Sequence, residues 1–221
     1  MGERTSSAPS IPRGLGAETG SPFDPPGAAL TSPSPSPDAA PTLNPPTDAR
    51  PPQLRLHDLL AGDAADQISA GPTVATAESC TGGGVAHRIT AIAGSSAYFL
   101  GGIVSYANSA KSTLLGVPQA ILDNPGAVSE ACAGAMAEGA RRAFGADIAV
   151  ATTGIAGPGG GTARKPAGLV FIAASGPAGT VVTEHHFPGD RHAVMASATT
   201  AALELLVQTI EAILQTRSPR S

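Results

Sequence analysis

Apolar and polar positions along this chain follow two periods, and the points where one gives way to the other mark its elements. From Leu54 the spacing is helical: Leu54, Leu56, Leu59, Leu60, Ala64, Ala65 and Ile68 share one face of an amphipathic helix that Gly71-Pro72 ends. Thr73 to Ala77 is then a short apolar run that predicts a buried strand. It feeds the turn Glu78-Ser79-Cys80-Thr81-Gly82-Gly83-Gly84 and a helix from Val85 to about Ile92. Gly101 to Val104 reads as a further strand, and Ala110 to Leu115 as a helix stopped by Gly116. A short helix is expected over Pro118 to Leu122.

Ser129 is placed to cap a long alanine-rich helix reaching about Phe144, with Glu130 suited to its dipole. The small residues of that helix allow close packing on a sheet, and Cys132 and Met136, four apart on one face, read as core. Ile148 to Thr152 predicts a second buried strand. After the turn Thr153-Gly154-Ile155-Ala156-Gly157-Pro158-Gly159-Gly160-Gly161, alternation over Ala167 to Ala174 and Thr180 to Phe187 predicts an antiparallel hairpin. Asp190 caps the last and longest helix, whose apolar stripe is Leu203, Leu206, Val207, Ile210, Ile213 and Leu214.

Composition changes this picture only at the ends. The first fifty of 221 residues carry about half of the prolines and no sustained apolar period. Such a stretch buries too little surface to offset the entropy of ordering it. Residues 1–52 are therefore expected to be a disordered Pro/Ser-rich extension, 53–216 the folded domain and 217–221 a disordered tail. No apolar run has the length of a secretory signal or a membrane span. The net charge of −4, without a basic block interleaved with aromatics, argues against nucleic acid as partner. Cys80 and Cys132 form neither a metal spacing nor a disulfide framework, which suits a reducing cytoplasm. His185, His186 and His192 lie close in sequence, but adjacent strand residues face opposite ways and do not make a metal site.

Candidate chemistry gathers between Gly94 and Lys111. Ser95 and Ser96, Tyr106 and Lys111 supply a hydroxyl, a phenol and a primary amine in one segment. A serine that attacks an amide needs a base, and a lysine serves only if burial lowers its pKa from about 10.4 toward roughly 7–8. On the residues alone, Ser95 and Ser96 as helix caps, Tyr106 as a strand residue and Lys111 as a solvated charge remain open. The first glycine-rich turn joins a strand to a helix N-terminus, where unpaired N–H groups favour an anion, although it follows neither the Walker nor the dinucleotide-binding pattern. The glycines of the second let backbone approach a ligand closely, and Thr153 adds a hydroxyl. Arg191 opens a helix at the end where the dipole disfavours a cation, a misplacement that a bound anion repairs.

Taken together, Thr76-Ala77-Glu78-Ser79-Cys80-Thr81-Gly82-Gly83, Gly94-Ser95-Ser96, Tyr106-Ala107-Asn108-Ser109-Ala110-Lys111, Gly126-Ala127-Val128-Ser129-Glu130, Thr153-Gly154-Ile155-Ala156-Gly157-Pro158-Gly159-Gly160, Lys165-Pro166 and Phe187-Pro188-Gly189-Asp190-Arg191 resemble the C-terminal domain of the CinA family. The resemblance covers about Leu54 to Leu214. It implies a single three-layer α/β domain, a mixed sheet flanked by helices. It also implies nicotinamide-nucleotide amidase activity, in which nicotinamide mononucleotide (NMN) and water give nicotinate mononucleotide and ammonia.

Carried over, the resemblance makes Ser96 the nucleophile, with Tyr106 and Lys111 as its activating partners. Ser79, Thr81, Gly82 and Gly83 of the first turn would hold the substrate with Thr153, Gly154, Gly157 and Arg191. No cofactor or metal is implied, no membrane or nucleic acid is expected as partner, and a homodimer is. The N-terminal molybdopterin-binding-like domain of longer members is not in this sequence, which resembles the stand-alone form, and the residues before the expected nucleophile are less polar than usual. The alternative is a nucleotide-binding module without catalysis, in a regulatory or competence- or damage-associated role.

Overall fold

A computed structural model describes residues 48–61 and 71–217 of the chain. The expected extension up to residue 47, the continuation of the first helix through Ala64, Ala65 and Ile68, and the tail from residue 218 lie outside the described residues. In chain order the main elements are α1 (Pro52–Leu60), β1 (Val74–Glu78), α2 (Gly84–Thr90), β2 (Phe99–Val104), α3 (Asn108–Leu115), α4 (Gln119–Ile121), α5 (Glu130–Phe144), β3 (Ile148–Gly154), β4 (Leu169–Gly176), β5 (Gly179–His186) and α6 (Arg191–Arg217). A single 3-10 turn, Ser95–Ala97, precedes β2.

The five strands form one mixed sheet in the order β2-β1-β3-β4-β5. β2, β1 and β3 are parallel, and β3, β4 and β5 are joined antiparallel. Strands covered on both faces lose the apolar/polar alternation, which is why β1 and most of β3 are continuous buried runs. Their alternate residues nevertheless face different layers. Val74, Ile148, Val150, Val170 and Ile172 pack under α1, α2 and α6, with Leu56, Val85, Ile89, Leu203, Leu206 and Ile210. Ala75, Ala77, Ala149, Ala151 and Ala173 face Ala133, Met136, Ala137 and Ala140 of α5.

Alanines on both sides let α5 lie close to the sheet. Ser129 caps it, its Oγ accepting from the Cys132 N–H at 3.2 Å. α3 crosses α5 at Gly139, where even a methyl group would stand 2.1 Å from the Leu115 carbonyl oxygen. α6 is capped by Asp190, whose Oδ1 accepts from the Ala193 N–H. It is long and apolar enough to cross a bilayer, yet its stripe from Leu203 to Ile210 is buried against the sheet. The buried Arg55 of α1 pairs with Glu204 of α6 at 2.6 Å and donates to the Asp48 carbonyl. Arg50 bonds both Asp48 and Asp58, so residues 48–51, expected in the extension, are tied to α1 instead.

Candidate active site

The parallel strands β1 and β2 end side by side, with Glu78 opposite Val104. The residues that follow, Ser79 and Ser105, therefore meet at the carboxyl edge of the sheet, where open α/β sheets hold their ligands. Ser79 is fixed from its backbone: its N–H donates to the Thr152 carbonyl, while the Ser105 N–H donates to the Glu78 carbonyl. α3 then folds back and brings Lys111 underneath. Its side chain is 1% exposed.

Lys111 Nζ lies 3.1 Å from Ser79 Oγ, 2.8 Å from the Ser105 carbonyl oxygen and 3.4 Å from that of Tyr106. Burial lowers the pKa of the amine, an effect opposed only by the Cys132 and Cys80 thiols nearby. Among the described residues no carboxylate is bonded to it. A neutral amine has two N–H groups and one lone pair. As an ammonium Lys111 donates to all three oxygens; as a neutral amine it would keep its two N–H groups on the carbonyl oxygens and turn its lone pair to the Ser79 hydroxyl. That is the arrangement of a nucleophile with its general base.

The carboxylate adjacent to Ser79 in sequence is occupied elsewhere. Glu78, also 1% exposed, turns under α2 and accepts from Thr81 Oγ1 (2.6 Å) and from the N–H groups of Gly83, Val85 and Ala86. This corrects the expectation for the first glycine-rich turn. The orphan N–H groups that would hold a phosphate are already satisfied by the protein's own anion, and Thr81, Gly82 and Gly83 do not line the cleft.

The cleft has a volume of about 200 Å³ and is lined by Ser79, Cys80, Tyr106, Asn108, Lys111, Ala127, Val128, Thr153, Gly154, Ala156 and Arg191. Arg191 reaches across its mouth, donating to the Gly157 carbonyl at 2.9 Å and to the Tyr106 phenol oxygen at 3.0 Å. Both acceptors are neutral, so the guanidinium has no carboxylate partner among the described residues. Thr153 spends its hydroxyl proton on the Ala127 carbonyl at 2.7 Å, tying β3 to the chain that leads into α5. Cys80 is buried at the cleft floor, its thiol pushed up to about 11 by desolvation.

Ser96 is not part of this constellation. It sits exposed on the turn before β2, at the end where Val74 pairs with Phe99. Six residues of strand, about 17 Å at the rise of a parallel strand, separate it from the edge that carries Lys111. Nor does the Tyr106 phenol bridge the lysine to a serine, because it faces Arg191.

Residues 60–210 match the CinA C-terminal domain family. The chain belongs to that family. Among its relatives, the CinA-like protein of Mycobacterium sp. (strain JLS) is 52% identical over 153 residues, 69% of this chain and 36% of that protein. The chain thus spans about a third of the length of the curated relatives it matches. Two solved structures share the fold. The competence/damage inducible protein CihA from Agrobacterium tumefaciens has a TM-score of 0.62 at 45% identity, covering 64% of this chain and 86% of its own. A CinA superfamily protein from Klebsiella pneumoniae has a TM-score of 0.66 at 35% identity, covering 73% and 96%.

Within this CinA domain, the sequence alone brought Tyr106 and Lys111 into the candidate site and missed Ser79 as the lysine's partner. Ser79 and Lys111 stand 32 positions apart, and only the parallel pairing of β1 with β2 makes them neighbours. The signal that pointed to Ser79 was its position as the first residue after a fully buried parallel strand.

Proposed function

We propose that this CinA domain is a serine amidohydrolase that converts NMN and water to nicotinate mononucleotide and ammonia, with Ser79 as nucleophile and Lys111 as base. The observation that carries this reading is the buried amine, bonded to two carbonyl oxygens and turned toward the Ser79 hydroxyl. Ser79 Oγ adds to the carboxamide carbon while its proton passes to Lys111 Nζ. The Cys80 N–H follows the nucleophile, donates to no backbone carbonyl among the described residues and is a donor that the oxyanion would take. Collapse of the tetrahedral species breaks the C–N bond, and Lys111 returns the proton to departing ammonia. Water, deprotonated by the same amine, then splits the Ser79 ester to release the carboxylate.

Arg191, held by Tyr106 and Gly157, supplies the positive charge that a nucleotide phosphate neutralises. Tyr106 thereby serves the substrate side of the reaction. Thr153 and Gly154 shape the wall of the cleft, and the reaction belongs in the reducing cytoplasm.

Ammonia release from NMN tests the reading. Ser79→Ala should lose on the order of 10³-fold or more in kcat. Ser96→Ala, an exposed change on the far edge of the sheet, should retain nearly full activity. The opposite ranking would return the nucleophile to Ser96. Nucleotide binding without ammonia release by the unaltered chain would instead support the non-catalytic module.

A further inference from the structure

Asn108 lines the cleft and has no role in the chemistry above. It is the first residue of α3, three positions before Lys111, and residues so spaced are neighbours on one helix face. The other polar side chains of the cleft are committed within the protein. Ser79 is bonded to Lys111, Tyr106 to Arg191, Arg191 also to Gly157, and Thr153 to Ala127. Asn108 is exposed, and among the described residues its amide makes no hydrogen bond. It therefore presents one free acceptor and two free donors beside the reacting pair.

A primary carboxamide is the complement of such a group. Its N–H can donate to Asn108 Oδ1 while its carbonyl accepts from Nδ2. A carboxylate offers acceptors only, and at the same place would set its oxygen against Oδ1. We infer that Asn108 is a specificity-determining residue, one that distinguishes the amide substrate from the acid product. This rests on the amidohydrolase reading above. A site that hydrogen-bonds a substrate N–H discriminates against an analogue lacking it, by much less at an exposed position than at a closed one.

The test is calorimetric binding of NMN and of nicotinate mononucleotide to full-length Ser79→Ala protein, alone and combined with Asn108→Ala or Asn108→Asp. Ser79→Ala alone should prefer NMN. Adding Asn108→Ala should weaken NMN on the order of 10-fold, the worth of one or two hydrogen bonds, and leave the acid little changed. Asn108→Asp keeps the acceptor and adds a negative charge, so the acid should weaken more than NMN. In the otherwise unaltered chain, Asn108→Ala should raise KM for NMN and make nicotinate mononucleotide a relatively stronger product inhibitor. Equal weakening of both nucleotides, or no change in either, overturns the role of Asn108 while ammonia release by the unaltered chain keeps the functional reading intact. If the unaltered chain releases no ammonia and Ser79→Ala binds neither nucleotide, the functional reading fails and this role falls with it.

Discussion

Gly139→Ala tests whether packing between α3 and α5 sets the position of the candidate base. By helix propensity the change should help, because alanine is favoured over glycine inside a helix by about 1 kcal/mol. The fold opposes it. A Cβ at this position of α5 would lie 2.1 Å from the Leu115 carbonyl oxygen, 2.8 Å from its carbon and 2.9 Å from the Leu115 Cβ. Two of the three are backbone atoms, so no side chain can swing aside. Restoring van der Waals separation requires α3 to move by about 1 Å or more.

Overpacking of this kind costs about 1–3 kcal/mol, which outweighs the gain in propensity. The displacement also has a second reading, because Lys111 is one turn from Leu115 on the same short helix. A shift of about 1 Å in a reacting group can cost on the order of 10²-fold in rate. We therefore expect Gly139→Ala to lower the melting temperature, measured by circular dichroism, and to reduce kcat for ammonia release well beyond what partial unfolding explains at the assay temperature. A melting temperature raised by the better helix former, with kcat unchanged, would refute the argument that α5 holds α3 and its lysine in place.

Three other outcomes follow from the same geometry. Since burial lowers the Lys111 pKa and a base acts only when neutral, kcat/KM should rise with pH through an apparent pKa below the ordinary lysine value; Lys111→Arg should abolish activity, and substantial turnover in that variant would remove Lys111 from proton transfer. Arg191→Ala should raise KM for NMN with a much smaller change in kcat, as loss of uniform binding does, and a selective fall in kcat would place the guanidinium in the chemistry. Glu78→Ala should leave three backbone N–H groups of the α2 N-terminus without their acceptor, costing on the order of 3 kcal/mol or more; an unchanged urea midpoint would show that water replaces the carboxylate freely.

Local pattern carried most of the elements because their determinants are local. The caps Ser129 and Asp190, the helix stop at Gly116 and the hairpin between β4 and β5 are written in a few adjacent residues. Arg191 was legible as a cation at the wrong end of a helix, whereas the residues alone left Lys111 open between a buried base and a solvated charge. Two features depended instead on which strand lies beside which. Choosing among Ser79, Ser95 and Ser96 required knowing that β1 and β2 run parallel, since that pairing carries Ser79 to the edge with Lys111 and leaves Ser96 at the opposite one. The first glycine-rich turn had the sequence of an anion site, but whether its N–H groups were free depended on the direction taken by the Glu78 side chain. That direction is set by burial: with both faces of β1 covered, the carboxylate finds partners only at the N-terminus of α2.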